Sequence, residues 1–372
     1  MNSRQPVILY FLPVTKGGLT RYAEEQTKVL SERSEIHLAG YTGHITPVPG
    51  VAFYPLRIPQ KSSVRSIQAL GWMLSVIVNA WQLRQLIKQI GPDYVLIGAF
   101  AEYFSPLWFW MLKKISLETP FGCILHDPVR DHVVGPNWWH AWSVRLAFSL
   151  MRDVFVHQND DSPLPLGASV VRIPHGIYGY PEEAGANRQD LGIPEDAFVI
   201  MCFGHIRDGK NLNLLVEALA LMPDLHLLVV GKEQSSHDKK LSFYREMADR
   251  LGVVGRCHFV HRFVHDEEVS GYFRSADCLA LTYSADFHSA SGVLNSNVQF
   301  GLPVVASGGE GPLSDAIERY KLGVFVQPDN LEALVEGIAL VRNAPTQADW
   351  GRYRQDHSWY ANASIVLEEV GR

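Results

Sequence analysis

The chain has 372 residues, 47% of them apolar and 19% charged, with a formal net charge of −6. This length exceeds what one core usually fills, so two domains are expected, and the apolar content excludes a disordered chain. The cysteines, Cys123, Cys202, Cys257 and Cys278, sit in or beside apolar runs without metal-ligand spacing, which points to buried, reduced thiols of a cytoplasmic protein.

The charge is unevenly divided. Residues 1–178 hold 16 Lys+Arg against 12 Asp+Glu, leaving 17 against 27 for the rest, or +4 and −10. A basic N-terminal half suits contact with an anionic membrane surface or acceptor, whereas an imbalance this small is also what solubility alone produces. No dense basic run or base-reading motif occurs, so nucleic acid is not an expected partner.

In chain order, Met1–Pro6 leads straight into the apolar run Val7–Leu12, a buried strand with no secretory h-region, and no export is expected. Gly17-Gly18 then lets the backbone approach a ligand where the strand hands over to a helix ending near Leu30. Ser66–Leu83 is uncharged and near the lower length limit for a membrane span. However, Gln68, Ser75, Asn79, Gln82 and Gln89 draw a polar stripe, which predicts an amphipathic helix packed on a sheet. Further strands are expected at Ile36–Ala39, Val51–Tyr54, Tyr94–Ile97, Gly122–Leu125, Asp153–His157 and Val170–Ile173. Strands alternating with helices imply a parallel sheet covered on both faces.

From Tyr178 to Asp190 the apolar periodicity stops, which is linker composition. Domains are therefore expected at 1–178 and 191–349, joined by a linker over 179–190. The pattern restarts with strand Phe198–Phe203, the turn Gly204–Lys210 and helix Asn211–Leu221. Strands His226–Val230, Cys257–Val260, Cys278–Leu281 and Gly323–Val326 follow, with helices between them. His288–Gly301 reads as a small-residue loop opening a helix that ends at Gly301, before the buried strand Leu302–Ser307. Unpaired N–H groups around Ser291, Gly292 and Val293 would suit a phosphate.

Arg207 and Lys210 lie three apart in a turn on the ligand-binding edge of the second sheet, where two cations neutralise a leaving diphosphate; ordinary solvated charges share this spacing. His126-Asp127-Pro128 closes a strand of the first sheet, as a binder of sugar hydroxyls or as a structural group. His258, His261 and His265 lack a fourth ligand, so no metal site is expected. Asp160-Asp161 reads as a polar turn before Pro163. Trp138, Trp139 and Trp142, beside His132 and His140, form either an acceptor platform or a satellite core. No nucleophile elbow or phosphate loop occurs.

Several segments fall together in a family order: Lys16-Gly17-Gly18, Ile173-Pro-His-Gly176, Phe203-Gly-His-Ile-Arg-Asp-Gly-Lys210, Val229-Val-Gly-Lys232, Ser275-Ala-Asp277, Gly301-Leu-Pro-Val-Val-Ala-Ser307 and Ser358-Trp359. In this the chain resembles the GT-B glycosyltransferases, and most of all the retaining family 4. The resemblance implies an α/β fold of two Rossmann-like domains facing across a cleft, with a final helix, about 350–372, crossing back to the first. It implies a nucleotide-diphosphate sugar as donor, a glycan or lipid-linked acceptor, and no cofactor or divalent metal. Arg207 and Lys210 would grip the donor diphosphate, Gly17 and Gly18 would approach it from the opposite domain, and His126 would sit near the sugar. Arg262–Val264 would hold the base, with Gly204, Lys232, Ser289, Ser291, Gly292, Val293 and Asn295 completing the donor site.

One departure is marked. Family members commonly carry two glutamates eight positions apart around this helix, and the aligned positions are His288 and Ser296. The resemblance thus predicts a glycosyltransferase of cell-surface polysaccharide or glycolipid synthesis, cytoplasmic and peripheral on the inner membrane face. The alternatives are an inactive binding or scaffold subunit, which the missing glutamates favour, and a nucleotide-sugar epimerase of the same fold.

Overall fold

The computed structural model describes residues 4–15, 17–58, 65–126, 136–157, 167–182, 185–233, 238–344 and 347–372, without the side chains of residues 65, 66 and 69. The expectations for Lys16, Asp127-Pro128, His132 and Asp160-Asp161 lie outside these residues. The chain divides into two compact units, Met1–Gly176 with Ser358–Arg372, and Ile177–His357.

In the first unit β1 (Val7–Leu12), β2 (Glu35–Gly40), β3 (Ala52–Pro55), β4 (Tyr94–Ile97), β5 (Phe121–Leu125), β6 (Asp153–Val156) and β7 (Ser169–Arg172) form one sheet. Its order is β3-β2-β1-β4-β5-β6-β7, with every pair parallel. Parallel strands need long crossovers, here mostly through α1 (Gly18–Leu30), α2 (Arg65–Ile90), α3 (Ser105–Leu112) and α4 (Asn137–Phe148). Covered on both faces, β1 is buried at every position, which is why Val7–Leu12 contains no polar alternation. Leu9, Phe11, Val95 and Ile97 meet Leu83 of α2, Trp108 and Phe109 of α3 and Phe148 of α4 in one core. The order reverses direction between β1 and β4, so a ligand crevice belongs outside the C-terminal ends of those strands.

The second unit repeats the plan with β8 (Phe198–Phe203), α5 (Leu212–Leu221), β9 (Leu225–Gly231), α6 (Leu241–Arg250), β10 (Cys257–His261), α7 (Asp266–Arg274), β11 (Cys278–Thr282), α8 (Gly292–Asn297), β12 (Val304–Ser307), α9 (Pro312–Arg319), β13 (Gly323–Phe325), α10 (Leu331–Asn343) and α11 (Trp350–Asp356). Its sheet runs β10-β9-β8-β11-β12-β13, again parallel, with the reversal between β8 and β11. The last helix, α12 (Trp359–Val370), belongs to the first unit and packs on α1.

Three sequence expectations are corrected. The segment 178–190 is no free linker but part of the second unit: Arg188 donates to the carbonyls of Ser275, Glu195 and Ala197 and pairs with Asp277 at 2.7 Å, while Tyr180 exchanges two backbone bonds with the Gln299 amide. Polar side chains there bind the unit's own backbone, so apolar periodicity is not needed to hold it. The single return helix of about 350–372 is two helices, split at His357-Ser358. Ser358 is extended and caps α12 by accepting from Ala361 N–H at 3.1 Å, which restarts the helix in a new direction.

The polar stripe of α2 is the third. Ser75 and Asn79 face inward and are buried, whereas Ile67, Leu70, Trp72, Leu74 and Trp81 are exposed, the helix thus being turned about its axis from the expected pose. The inward polar groups are satisfied. Asn79 accepts from Arg57 N–H at 2.9 Å and donates to the Arg57 carbonyl at 3.1 Å and the Tyr41 hydroxyl at 3.3 Å, and the Ser75 hydroxyl donates to Trp72 C=O at 2.7 Å. Among the described residues no helix is long and apolar enough to cross a membrane.

Candidate functional site

In the second unit the site forms at the reversal point, where β8 and β11 end. Beyond Phe203 the chain turns at Gly204, whose φ of +91° few side-chain-bearing residues adopt. A Cβ there would lie 3.3 Å from Lys210 Nζ and 3.6 Å from Val293 Cγ2. Gly204, the Lys210 amine and the second residue of α8 are therefore immediate neighbours, though Val293 is distant in sequence.

Lys210 ends a short 3-10 turn, Asp208–Lys210, and its ammonium donates to Phe203 C=O at 2.6 Å. It is buried, and burial first, then Arg207, pulls its pKa down from the ordinary lysine value. The end of β11 holds this turn in place: the Thr282 hydroxyl donates to Lys210 C=O at 2.9 Å, and Ser284 N–H donates to Gly209 C=O at 3.0 Å. Arg207 is extended, with its guanidinium 5.9 Å from the ring centres of both Tyr283 and Phe287, which stack at 3.8 Å. The Tyr283 hydroxyl lies 3.0 Å from Ser291 Oγ, so one strand end positions the cation turn and the start of α8 together.

Ser291 caps α8, its Oγ accepting from Leu294 N–H at 3.3 Å. Among the described residues the Gly292 and Val293 N–H groups have no acceptor. The helix is shorter than expected and ends at Asn297; the chain then turns to Gly301, at φ +67°, whose N–H closes on Asn297 C=O at 2.8 Å. The Asn297 side-chain amide brackets the Leu302 backbone, donating to its C=O at 2.7 Å and accepting from its N–H at 3.2 Å.

Other expected residues take varied places. Lys232 sits 5.4 Å above the exposed Phe263 ring, and its carbonyl accepts from Ile206 N–H, next to the cation turn. Arg262 is engaged within its own unit, paired with Glu268 and donating to Tyr272 Oη at 2.9 Å; that pairing pulls the Glu268 carboxyl down to about 2. This leaves the loop backbone, with half-buried Val264, as what it presents. Ser289 is half-buried in the loop before α8. Asn295 is a correction: it is buried, and its Oδ1 accepts from the Tyr353 hydroxyl of α11 at 2.6 Å, which makes it a scaffold group. Of the two positions where a glutamate was expected, His288 is exposed with Nδ1 2.9 Å from Glu310 O, and buried Ser296 lies 2.7 Å from the Tyr180 hydroxyl.

The sequence reading missed His205. It lies exposed in the Gly204–Lys210 turn, and partial desolvation followed by the fields of Lys210, Lys232 and Arg207 lowers its pKa. Lys210, Lys232 and Arg207 thus all bear on one imidazole.

In the first unit Gly17, Gly18 and His126 lie at the C-terminal edge of the sheet. Gly17 opens α1 through a reciprocal pair with Thr20 Oγ1, and no heavy atom stands where a Cβ of Gly17 or Gly18 would point. His126 Nδ1 is 3.3 Å from His157 Nε2, and Tyr22 packs edge-on against the rings of His126, His175 and Trp359. His126 follows β5, His157 follows β6 and His175 lies just past β7, so parallel strands deliver all three to one edge. Burial, then His175 and His126, lowers the His157 pKa well below the usual value; burial lowers that of His175. His157 and His175 were not singled out from the sequence, although their position after strand runs was a usable signal. Trp139 Nε1 donates to Tyr103 C=O at 2.9 Å, while Trp138 and Trp142 are exposed, which favours a platform over a satellite core.

Residues 184–357 match the family model described as glycosyl transferases group 1. Over 201 residues, the chain is 31% identical to a D-inositol 3-phosphate glycosyltransferase of Arthrobacter, covering 49% of this chain and 44% of that protein. It is 28% identical over 200 residues to the enzyme so named in Mycobacteroides abscessus, covering 52% and 43%. The chain spans under half the length of these curated relatives. Among solved structures, Anabaena HepE in complex with UDP superposes with a TM-score of 0.72 at 16% identity, covering 98% of this chain and 99% of that one. Sucrose-phosphate synthase from Thermosynechococcus elongatus superposes at 0.71, also with 16% identity, covering 98% of each.

Proposed function

We propose that this chain, with a GT-B fold and with residues 184–357 belonging to the group 1 glycosyl transferases, moves a hexosyl group from a nucleoside-diphosphate sugar to a glycan or lipid-linked acceptor. One observation carries the reading: the buried Lys210 amine, Gly204 and the open N–H groups at Gly292 and Val293 converge beside Arg207. In the reaction the bond from the sugar's anomeric carbon to the diphosphate breaks, a bond to the acceptor oxygen forms, and the acceptor proton is released. The leaving group gains negative charge, which Arg207, Lys210 and the N–H groups are arranged to stabilise. Lys210, already poor in water and beside Arg207, is attracted strongly to an incoming anion because little solvent and, among the described residues, no paired carboxylate shields it.

Retention of anomeric configuration, cell-surface polysaccharide or glycolipid synthesis, and peripheral attachment at the cytoplasmic membrane face are further parts of the proposal. The first two rest on the family likeness; the exposed apolar face of α2 supports the third. HepE, crystallised with UDP and UDP-glucose, supports a uridine donor. Charge neutralisation by Arg207 and Lys210 makes the proposed reaction independent of divalent metal.

The test is calorimetric titration with a panel of nucleoside diphosphates, then a donor panel with transfer readout. Binding of at least one nucleotide, lost in Lys210→Ala, is expected. No binding to any of them would favour a scaffold, a reading supported by Ser296 being tied to Tyr180 where an acid was expected.

A further inference from the structure

The reversal point of the first sheet holds a cavity of a different chemistry. It opens outside the C-terminal ends of β1 and β4 and is lined by Phe11 and Pro13, Ile97 and Phe100, and by α2 and α3. Its empty space is about 510 Å³ with the mouth counted, yet a water molecule's centre can roam over only about 60 Å³ of it, so it is a narrow slot. Trp72, Val76, Ala80, Leu83 and Trp108 make its walls apolar. Asn79 and Tyr41 also line it, but the Asn79 amide is engaged by the Arg57 backbone and the Tyr41 hydroxyl.

In an open α/β sheet this crevice is the ligand position. Here Asn79 is spent on its neighbours and the lining is otherwise mostly apolar, with the Tyr41 hydroxyl and the indole N–H groups as its remaining polar atoms, which suits an apolar guest better than a sugar or phosphate. Trp72 both lines the slot and reaches solvent, whereas the exposed Ile67, Leu70, Leu74 and Trp81 form a separate stripe on the opposite side of α2. Exposed Arg57, whose backbone is clamped by the lining residue Asn79, makes no ion pair among the described residues. The helix α2 itself carries three cations, Arg65, Arg84 and Lys88, and no acid. An apolar slot with an exposed, unpaired arginine anchored to its lining is complementary to one kind of guest, a hydrocarbon chain bearing a phosphate.

We propose that this cavity binds the hydrocarbon chain of a phospholipid-type acceptor, with Arg57 facing the acceptor's phosphate. The inference rests on the lipid-linked-acceptor reading and narrows it: the acceptor is recognised by its tail as well as by its hydroxyl.

The experiment uses the full chain and alkyl phosphates below their micelle concentration, the dodecyl member carrying a terminal bromine that quenches tryptophan. Affinity is expected to rise roughly fourfold per methylene until the slot is full and then to level off. Quenching should fall by more than half in Trp72→Phe/Trp108→Phe. Filling the slot by Val76→Trp or Ala80→Phe should weaken binding at least tenfold, and Arg57→Glu should weaken dodecyl phosphate but not dodecanol. Inorganic phosphate should not compete. Quenching that stays with Trp81, or affinity that climbs with chain length without levelling, would overturn the site in favour of general adsorption on the α2 surface. The chain-length series on the unaltered protein decides even if the filled variants lose their melting transition. Nucleoside-diphosphate titration of the same protein reports the donor reading separately, so either can fail alone.

Discussion

Gln26 and Asn362, 336 positions apart, are joined by a 2.6 Å hydrogen bond in which the Gln26 amide donates to Asn362 Oδ1, both side chains being fully buried. Gln26 in turn accepts from the Tyr10 hydroxyl at 3.0 Å, and Asn362 donates to the Tyr22 hydroxyl and to Pro174 C=O, each at 2.7 Å. This network ties β1, α1 and the segment after β7 to α12. Asn362→Ala leaves the Gln26 amide and the Pro174 carbonyl short of a partner at a cost of about 1–3 kcal/mol each, so destabilisation of about 2 kcal/mol or more is expected by urea unfolding. Asn362→Asp should fare little better, since the Pro174 carbonyl needs a donor.

Lys210→Ala and Arg207→Ala are expected to lower turnover by about 10²–10³-fold, the usual cost of removing one preorganised stabiliser of developing charge. Circular dichroism should be unchanged for Arg207→Ala. Wild-type-like turnover in both variants would remove the proposed role. Added chelator should leave the rate as it is.

Gly204→Ala tests the same convergence without touching a charge. The new methyl would need φ +91° and would stand 3.3 Å from the Lys210 amine, so nucleotide affinity should fall about tenfold or more, with a modest drop in melting temperature.

The first unit should lose stability in mild acid. Burial holds the folded pKa values of His157 and His175 below the ordinary histidine value of 6.5, so below about pH 6.5 the unfolded chain binds protons that the folded chain does not. Their contribution is fully present above pH 6.5 and declines as pH falls, by up to about 1.4 kcal/mol per unit for each histidine. Melting temperatures from pH 8 to 5 should show the decline, with a shallower slope in His157→Gln.

Ser296→Glu restores the residue type expected from the family likeness, yet it should destabilise by about 2–3 kcal/mol. The longer carboxylate would meet the Tyr180 hydroxyl in a buried position, and the loss should be visible as a lower denaturation midpoint.

Much of this architecture was legible in the sequence because parallel strands buried on both faces write unbroken apolar runs, as in Val7–Leu12 and Phe198–Phe203. Glycines at strand ends and the cap at Ser291 marked the turns that position Arg207 and Lys210. What periodicity could not convey was which side of α2 faces the sheet. Its buried Asn79 is held by partners, Tyr41 and the Arg57 backbone, that lie more than 20 residues away and leave no local trace. The segment 178–190 misled for the same reason: a polar composition looks like solvent exposure until Arg188 is seen binding distant carbonyls. Asn295 sits in the predicted phosphate helix but faces Tyr353, a distinction only packing makes.

The return of α12 to the first unit also sets an order in time. A ribosome making about 5–20 residues per second needs roughly 20–70 s to reach Asn362 after Gln26 has emerged. Through that interval the Gln26 amide N–H lacks its native acceptor, and by the end of it every strand and helix of the second unit is available to fold. The first unit, begun earlier, is therefore the one finished last, and a nascent chain stalled before Ser358 would carry a closed second unit beside an incomplete first.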